Sequence, residues 1–403
     1  MTKPPWPPID GGRLVVAHTL AALAARGHTI DLVTPYDPDA VDPEEAARQL
    51  SPSCRAHLVA VKPRSLLRTA RAALRPDAPL SIARHDHPAV RTRVAELVLE
   101  NRPDAVHAEQ LQALAACTSA FAAGIAVVLR CQNVESDLWQ GFARHARSGA
   151  LAALEARRLA RFEARALRRA TAAIALTTED AERLHALSDG IEVATVPAPF
   201  PARLAPGLSV EGRPALATLG SSGWRPNEDG VAWLLREVWP AVRAALPEAV
   251  LHVYGEGDAG GAAGVVQHAA PTDSREAFPG NAVCVVPLRY GSGVRMRILE
   301  AWARGVPVVA TPEAVHGLDV RDGRELLVAA TPEAFAAALH RLQREPALAE
   351  ALAHAGRARL AARHDPDAIA ARLENVYANA ARHARDSAPS APLAPHAVTL
   401  TCA

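Results

Sequence analysis

Short apolar runs recur along the chain, separated by longer stretches whose apolar residues return every three or four positions. That alternation marks strands following helices. In the first half the strand candidates are residues 29–33, 57–61, 105–107, 125–129, 172–176 and 192–196. In the second half they are residues 215–219, 250–254, 265–267, 284–287, 307–310 and 325–328. Helical patterns occupy residues 13–26, closed by Gly27 just past the last turn, then 136–169, 227–246, 332–345, 348–363 and 366–385. Strands alternating with helices build α/β layers on parallel sheets. The proline-rich segment 197–207, PAPFPARLAPG, separates the two series. The expected division is an N-terminal domain over residues 1–205, a C-terminal domain over 206–365, a last helix over 366–385 and a disordered tail over 386–403.

One element is missing from this pattern. A glycine turn opening a helix, here Gly11-Gly12, normally follows the first and central strand of such a sheet. The ten residues before Gly11, MTKPPWPPID, are too rich in proline to supply ladder donors. The N-terminal domain is therefore expected to lack its first strand, and the natural protein to begin upstream with a further apolar segment.

Composition narrows the function classes. A chain of 403 residues suits two domains. Lys and Arg total 44 against 43 Asp and Glu, so no strong field favours a nucleic-acid partner. Lysine occurs only at Lys3 and Lys62, which removes lysine chemistry from most of the chain. The five cysteines are scattered and never spaced as CxxC, so neither a disulfide framework nor a zinc site is expected, in keeping with a reducing cytosol. No apolar run approaches bilayer length and no signal-peptide pattern opens the chain. The expectation is a cytoplasmic protein, peripheral at most on a membrane. For the latter, Arg157, Arg161 and Arg165 repeat every four residues on one helical face suited to anionic lipid, or simply to water.

Residues 284–311, CVVPLRYGSGVRMRILEAWARGVPVVAT, carry the densest chemistry. They read as a buried strand, a turn containing Gly291, Ser292 and Gly293, a helix carrying Arg295, Arg297 and Glu300, and a second buried strand. Parallel sheets bind ligands beyond the carboxyl ends of their strands, where helix N-termini offer free N–H groups and partial positive charge. Two arginines beside that turn point to an anion such as a diphosphate. Glu300, two turns further on, can accept hydrogen bonds from a ribose diol. Arg225, after the strand at 215–219, faces the same edge. Asn227 is the expected cap of its helix, with Pro226 fixing the approach. The run 255–261, GEGDAGG, is a weaker nucleotide-loop candidate. His85-Asp86-His87 has metal-ligand residue types, but Arg84 and Pro88 around it suggest an exposed loop before a helix rather than a metal site.

With both halves laid out, the sequence resembles the retaining GT-B glycosyltransferases of family four. The motifs that carry the likeness are GSSGWRPNEDG, PLRYGSGVRMRILEAWARGVPVVAT and HGLDVRDGRELLV, with the weaker GGR, RGHTIDLVT, PDAVHAEQ and NVESDLW in the first half. The resemblance implies two Rossmann-like domains facing a cleft. It implies a nucleotide-diphosphate sugar held by the C-terminal domain, a hydroxyl acceptor met by the N-terminal domain, and a last helix crossing back. It also implies hexosyl transfer with no metal and no cofactor. Glu300 matches the second glutamate of the family's paired-glutamate motif, but Ser292 stands where the first belongs. Arg295 and Arg297 match the basic residues that meet the departing diphosphate, with Arg225 near the other basic position. Gly11 and Gly12 match the glycine loop facing the cleft. In the acceptor half, Gln132 stands where relatives often carry a histidine, and His107, ending the strand at 105–107, is the nearest titratable alternative. A structural histidine is the competing reading there. Glutamine hydrogen-bonds a hydroxyl but accepts no proton near neutral pH.

Two other classes stand beside the transferase. Ser292 and Gln132 also fit a binding or scaffold protein that kept the fold and lost catalysis. A nucleotide-sugar epimerase shares the fold. A pyridoxal-phosphate phosphorylase needs a Schiff-base lysine, and none follows Lys62.

Overall fold

A computed structural model of the chain describes residues 1–62, 71, 79–145, 149–188, 191–220, 224–255, 261–271 and 273–386, and the backbone of 399–402. Contacts divide it into two units. The first comprises Met1–Pro7, Val15–Pro199 and Pro366–Ala403, and the second comprises Pro8–Leu14 and Phe200–Asp365.

The first unit is built on a parallel sheet of β1 (Thr29–Tyr36), β2 (Arg55–Ala60), β3 (Ala105–Glu109), β4 (Ala126–Cys131), β5 (Ala172–Ala175) and β6 (Val193–Thr195). Alternate residues of each strand feed separate cores. Val127 and Leu129 pack with Val94 and Leu97 of the helix Pro88–Asn101, whereas Ala126 and Val128 pack with Leu20 and Leu23 of the helix Gly11–Ala25 and Leu373 and Tyr377 of the helix Pro366–Asp386. Burial on both faces explains why these strands read as unbroken apolar runs.

The tail departs from the sequence expectation. Thr399–Cys402 forms a strand, β13, inserted parallel between β1 and β3, with Leu400 opposite both Ile30 and Ala105. The central slot expected to be missing is thus occupied by the opposite end of the chain. Thr399 pairs with β1 alone and Leu400, Thr401 and Cys402 with both neighbours, forming a strand despite the proline-rich approach, because pairing needs only backbone groups.

The second unit carries a parallel sheet ordered β12-β11-β10-β7-β8-β9, from β7 (Ala215–Leu219), β8 (Val250–Tyr254), β9 (Val265–His268), β10 (Ala282–Val286), β11 (Val308–Ala310) and β12 (Leu327–Val328). The order reverses at β7–β10, which puts the switch point between the turns after those two strands. Helix starts differ from expectation at both turns. The helix after β7 begins at Arg225 with Trp224 as cap, so Asn227 lies inside it, and a π-helical stretch, Leu234–Val238, interrupts its continuation. The helix after β10 begins at Met296, leaving Arg295 as its cap residue with Arg297 in the first turn. The basic stretch 136–169 is two helices, Glu135–His145 and Gly149–Arg169. Arg157, Arg161 and Arg165 lie on the exposed face of the second.

Candidate functional site

The turn between β10 and its helix is shaped by glycine. Gly291 and Gly293 have φ of 151° and 74°, values disfavoured for L side chains, and Ser292 between them is buried. Arg295 folds back over this turn. Its guanidinium donates to the carbonyls of Ser292 and Gly293, the latter at 2.8 Å, and lies 5.1 Å from the Trp224 ring. The neighbouring Arg289 grips Asp229 through two bonds of 2.8 and 2.5 Å. Gly230 permits the helix Arg225–Trp233 to press on Pro287, whose oxygen would lie 2.5 Å from any Cβ at that position. Arg225 is exposed at the start of that helix, close enough to act on the Tyr290 phenol, which burial chiefly pushes up to about 12.

Arg297 is placed differently. It donates to the Leu219 carbonyl at 2.5 Å, at the end of β7, and no carboxylate pairs with it among the described residues. Burial lowers its pKa to about 10, so it stays charged at neutral pH while lacking a counter-ion. A positive group placed so at a switch point has the charge to bind an anion.

Glu300 is buried, and Ser274 Oγ at 2.6 Å, Arg304 Nη2 at 2.7 Å and Arg304 Nε at 3.1 Å all converge on its Oε1. None of these reaches Oε2. Ser274 and Arg304 were not singled out from the sequence, although Arg304 sits one helical turn after Glu300, the spacing of an ion pair. Also missed was the aromatic pair ending β8 and β9. Tyr254 and His268 are register partners whose rings stack at 4.3 Å, and His252 joins them through a 2.9 Å bond to His268. Gly11 meets the same region, since a Cβ there would lie 3.3 Å from Met296 Cγ, whereas Gly12 simply continues its helix. The candidate loops at 221–223 and 256–260 fall outside the described residues.

In the first unit, His107 and Gln132 lie inside a buried network around Glu109. Burial pushes the Glu109 carboxyl up, but Arg130 and His107 more than reverse this and hold it well below the usual carboxylate range. Arg130 Nε bonds both carboxylate oxygens at 3.1 and 3.0 Å, and its Nη1 reaches Thr19 at 2.9 Å. Gln132 donates to Glu109 at 3.0 Å and accepts from Gln110 at 3.1 Å. His107 Nδ1 meets the Tyr377 hydroxyl at 2.7 Å, and burial lowers its pKa. His107 is 1% exposed and Gln132 6%. Among the described residues no group of three or more His, Cys, Asp and Glu is arranged to hold a metal, and no helix is long and apolar enough to cross a membrane. The triplet His85-Asp86-His87 is partly buried rather than fully exposed.

Comparison with known proteins agrees with this geometry. Residues 10–199 match the glycosyl transferase 4-like domain and residues 213–345 match the glycosyl transferases group 1. Sucrose-phosphate synthase from Thermosynechococcus elongatus superposes with a TM-score of 0.67 at 18% identity, over 92% of this chain and 93% of that one. HepE from Anabaena, solved with UDP-glucose, gives 0.61 at 12% identity, over 92% and 97%. TarM from S. aureus, solved with UDP, gives 0.56 at 12%, over 72% and 59%. No curated protein matches the sequence. With one glycosyltransferase domain matched on each unit and the fold shared end to end, this chain belongs to the GT-B glycosyltransferases.

Proposed function

We propose that the protein transfers a hexosyl group from a nucleoside-diphosphate sugar to a hydroxyl acceptor with retention of anomeric configuration and without a metal. The observation that carries this is Arg297, a charged guanidinium at the switch point with no carboxylate partner among the described residues. A diphosphate there meets Arg297, the exposed Arg225 and the N–H groups opening the helix Met296–Arg304. Oε2 of Glu300 takes the ribose diol, and the stacked Tyr254 and His268 offer a flat surface to the base. As the sugar C1–O bond breaks, the electron pair stays on the diphosphate, where the guanidinium charge stabilises it in place of a metal ion. The new bond forms from the acceptor oxygen to C1, and the acceptor's proton passes to a phosphate oxygen. That route needs no protein base, which accords with His107 and Gln132 being enclosed in the Glu109 network. Isothermal titration with UDP, GDP and ADP sugars tests donor binding, and NMR of the product anomer, with and without EDTA, tests retention and metal independence. Absence of binding by any donor to the folded protein would remove the reading.

Ser292 supports a second reading, a binding or scaffold protein without turnover. The position that would hold the carboxylate on the donor sugar carries a buried hydroxyl instead. Nucleotide binding with no product across a broad acceptor panel would select it. Peripheral membrane contact belongs to the same proposal on the acceptor side. Leu151 and Leu154 are exposed at one end of the helix that carries Arg157, Arg161 and Arg165, so binding to anionic vesicles is its test.

A further inference from the structure

Glu300 is gripped unevenly. An arginine fork that meets a carboxylate side-on usually sets one N–H on each oxygen. Here Arg304 Nη2 at 2.7 Å and Nε at 3.1 Å both fall on Oε1, and Ser274 Oγ adds a third bond to the same atom at 2.6 Å. Oε2 takes no donor among the described residues.

The two residues that hold Oε1 are themselves fixed. Ser274 opens the 3-10 turn Ser274–Ala277, whose cap residue Asp273 accepts the Arg275 N–H at 2.8 Å. The one O–H of Ser274 goes to Glu300, and its oxygen accepts from Arg304 Nη2 at 3.2 Å, which closes a triangle of three side chains. Arg304 is buried at the end of the helix Met296–Arg304. Its Nη1 donates to the Ala205 carbonyl, and its guanidinium lies 5.7 Å from the centre of the Phe278 ring. Glu300 thus cannot exchange its oxygens without breaking bonds to two elements, its own helix and the turn that follows β9.

Stability is a poor explanation for such a triangle. Taking a carboxylate and a guanidinium out of water costs about what their attraction returns, and apolar side chains of similar volume often serve a fold as well. What the triangle supplies is direction. A helical glutamate left to itself samples several rotamers, and ordering it when a ligand arrives weakens binding; one held beforehand avoids that loss. We infer that Ser274 and Arg304 are positioning residues, which lock Oε1 of Glu300 so that Oε2 alone receives the ribose hydroxyls of the donor nucleotide. The inference rests on the transferase reading for the ribose at Glu300, and it adds two residues that act through that carboxylate.

Titration of the full-length protein with UDP, GDP and ADP, each beside its 2′,3′-dideoxy counterpart, reads the ribose contribution apart from base and diphosphate. The unaltered protein should bind the tightest of the three at least about tenfold better than its dideoxy form, the size of a hydrogen bond to a charged group. Arg304→Met should bring that ratio to about threefold or less, through loss on the ribose form alone, with the dideoxy affinity unchanged. Ser274→Ala, on a partly exposed turn, should narrow the ratio in the same sense, and it decides the matter should Arg304→Met not fold. An unchanged ratio in the folded variants, whether both forms weaken together or neither does, would mark a merely structural role and overturn the inference. Equal binding of both forms by the unaltered protein would also overturn it, while leaving donor binding intact. Absence of binding by all three diphosphates would overturn the transferase reading itself, and the inference with it.

Discussion

The two sheets end in carboxyl edges of opposite electrostatic design. In the first unit Arg130 is paired with Glu109, and His107, Gln132, Thr19 and Tyr377 join the same buried network. In the second, Arg297 meets a lone backbone carbonyl and keeps its charge. One architecture thus carries a self-neutralised edge and an edge with charge to spare. The difference teaches that topology decides where a ligand can sit, while pairing of the buried charges decides its sign.

The sharpest way to break the contrast is to unpair the first edge. Glu109→Ala removes the carboxylate that Arg130 grips in a buried site and should lower unfolding stability by about 3–5 kcal/mol in chemical denaturation. Combining it with Arg130→Met should recover most of the loss. Were the single variant neutral, Glu109 would not be the group that balances Arg130.

A second carboxylate behind that edge behaves oppositely. Glu163, in the helix Gly149–Arg169, accepts the N–H groups of Glu135 and Ser136 at 2.7 and 3.1 Å, and burial raises its pKa from 4.5 to about 7. A carboxyl whose folded pKa lies above its unfolded value binds its proton more tightly when folded. Its stabilising contribution is therefore present below about pH 4.5 and lost as pH rises towards 7. The loss should be on the order of 3 kcal/mol, and Glu163→Gln should remove it. Thermal unfolding of both proteins at pH 5 and pH 8 checks this, and an identical pH dependence would refute it. Glu109, held below the usual range, loses stability in the other direction, on acidification.

On the second edge the same logic predicts binding rather than stability. Arg297→Ala or Glu300→Ala should weaken nucleotide binding by about 1–3 kcal/mol, read by titration with the diphosphate alone. Arg297→Met should also leave stability unchanged or improved, since it removes a buried charge that no carboxylate balances. The smallest effect is expected at the aromatic pair. His268→Ala should reduce affinity by about 0.5–1.5 kcal/mol, and by less for the sugar diphosphate lacking a base.

Most strands were legible because burial on both faces writes them as plain apolar runs, as at 215–219 and 250–254. The glycine turn at 291–293 was equally legible, since only glycine serves the backbone there. What lay hidden needed neighbours distant in sequence. Arg295 and Arg297 look equivalent two residues apart, yet the late helix start at Met296 turns one onto the loop carbonyls and the other towards β7. His85-Asp86-His87 looked like a solvated loop, because nothing in its composition reveals that the 3-10 turn Leu111–Cys117 packs beside it. The tail misled for a related reason. Its proline-rich approach argues for disorder, while Thr399–Cys402 pairs through backbone groups that every residue carries.

By itself, then, the sequence determined the period of the strands, the place of the glycine turn and the family likeness, because each is written in residues close along the chain. Tertiary structure alone decided which buried charges are paired and which end of the chain occupies the central slot. Pairing and burial depend on distances between residues on different elements, as far apart along the chain as the 21 positions between Arg130 and Glu109 or the 78 between Arg297 and Leu219, and no local pattern encodes them.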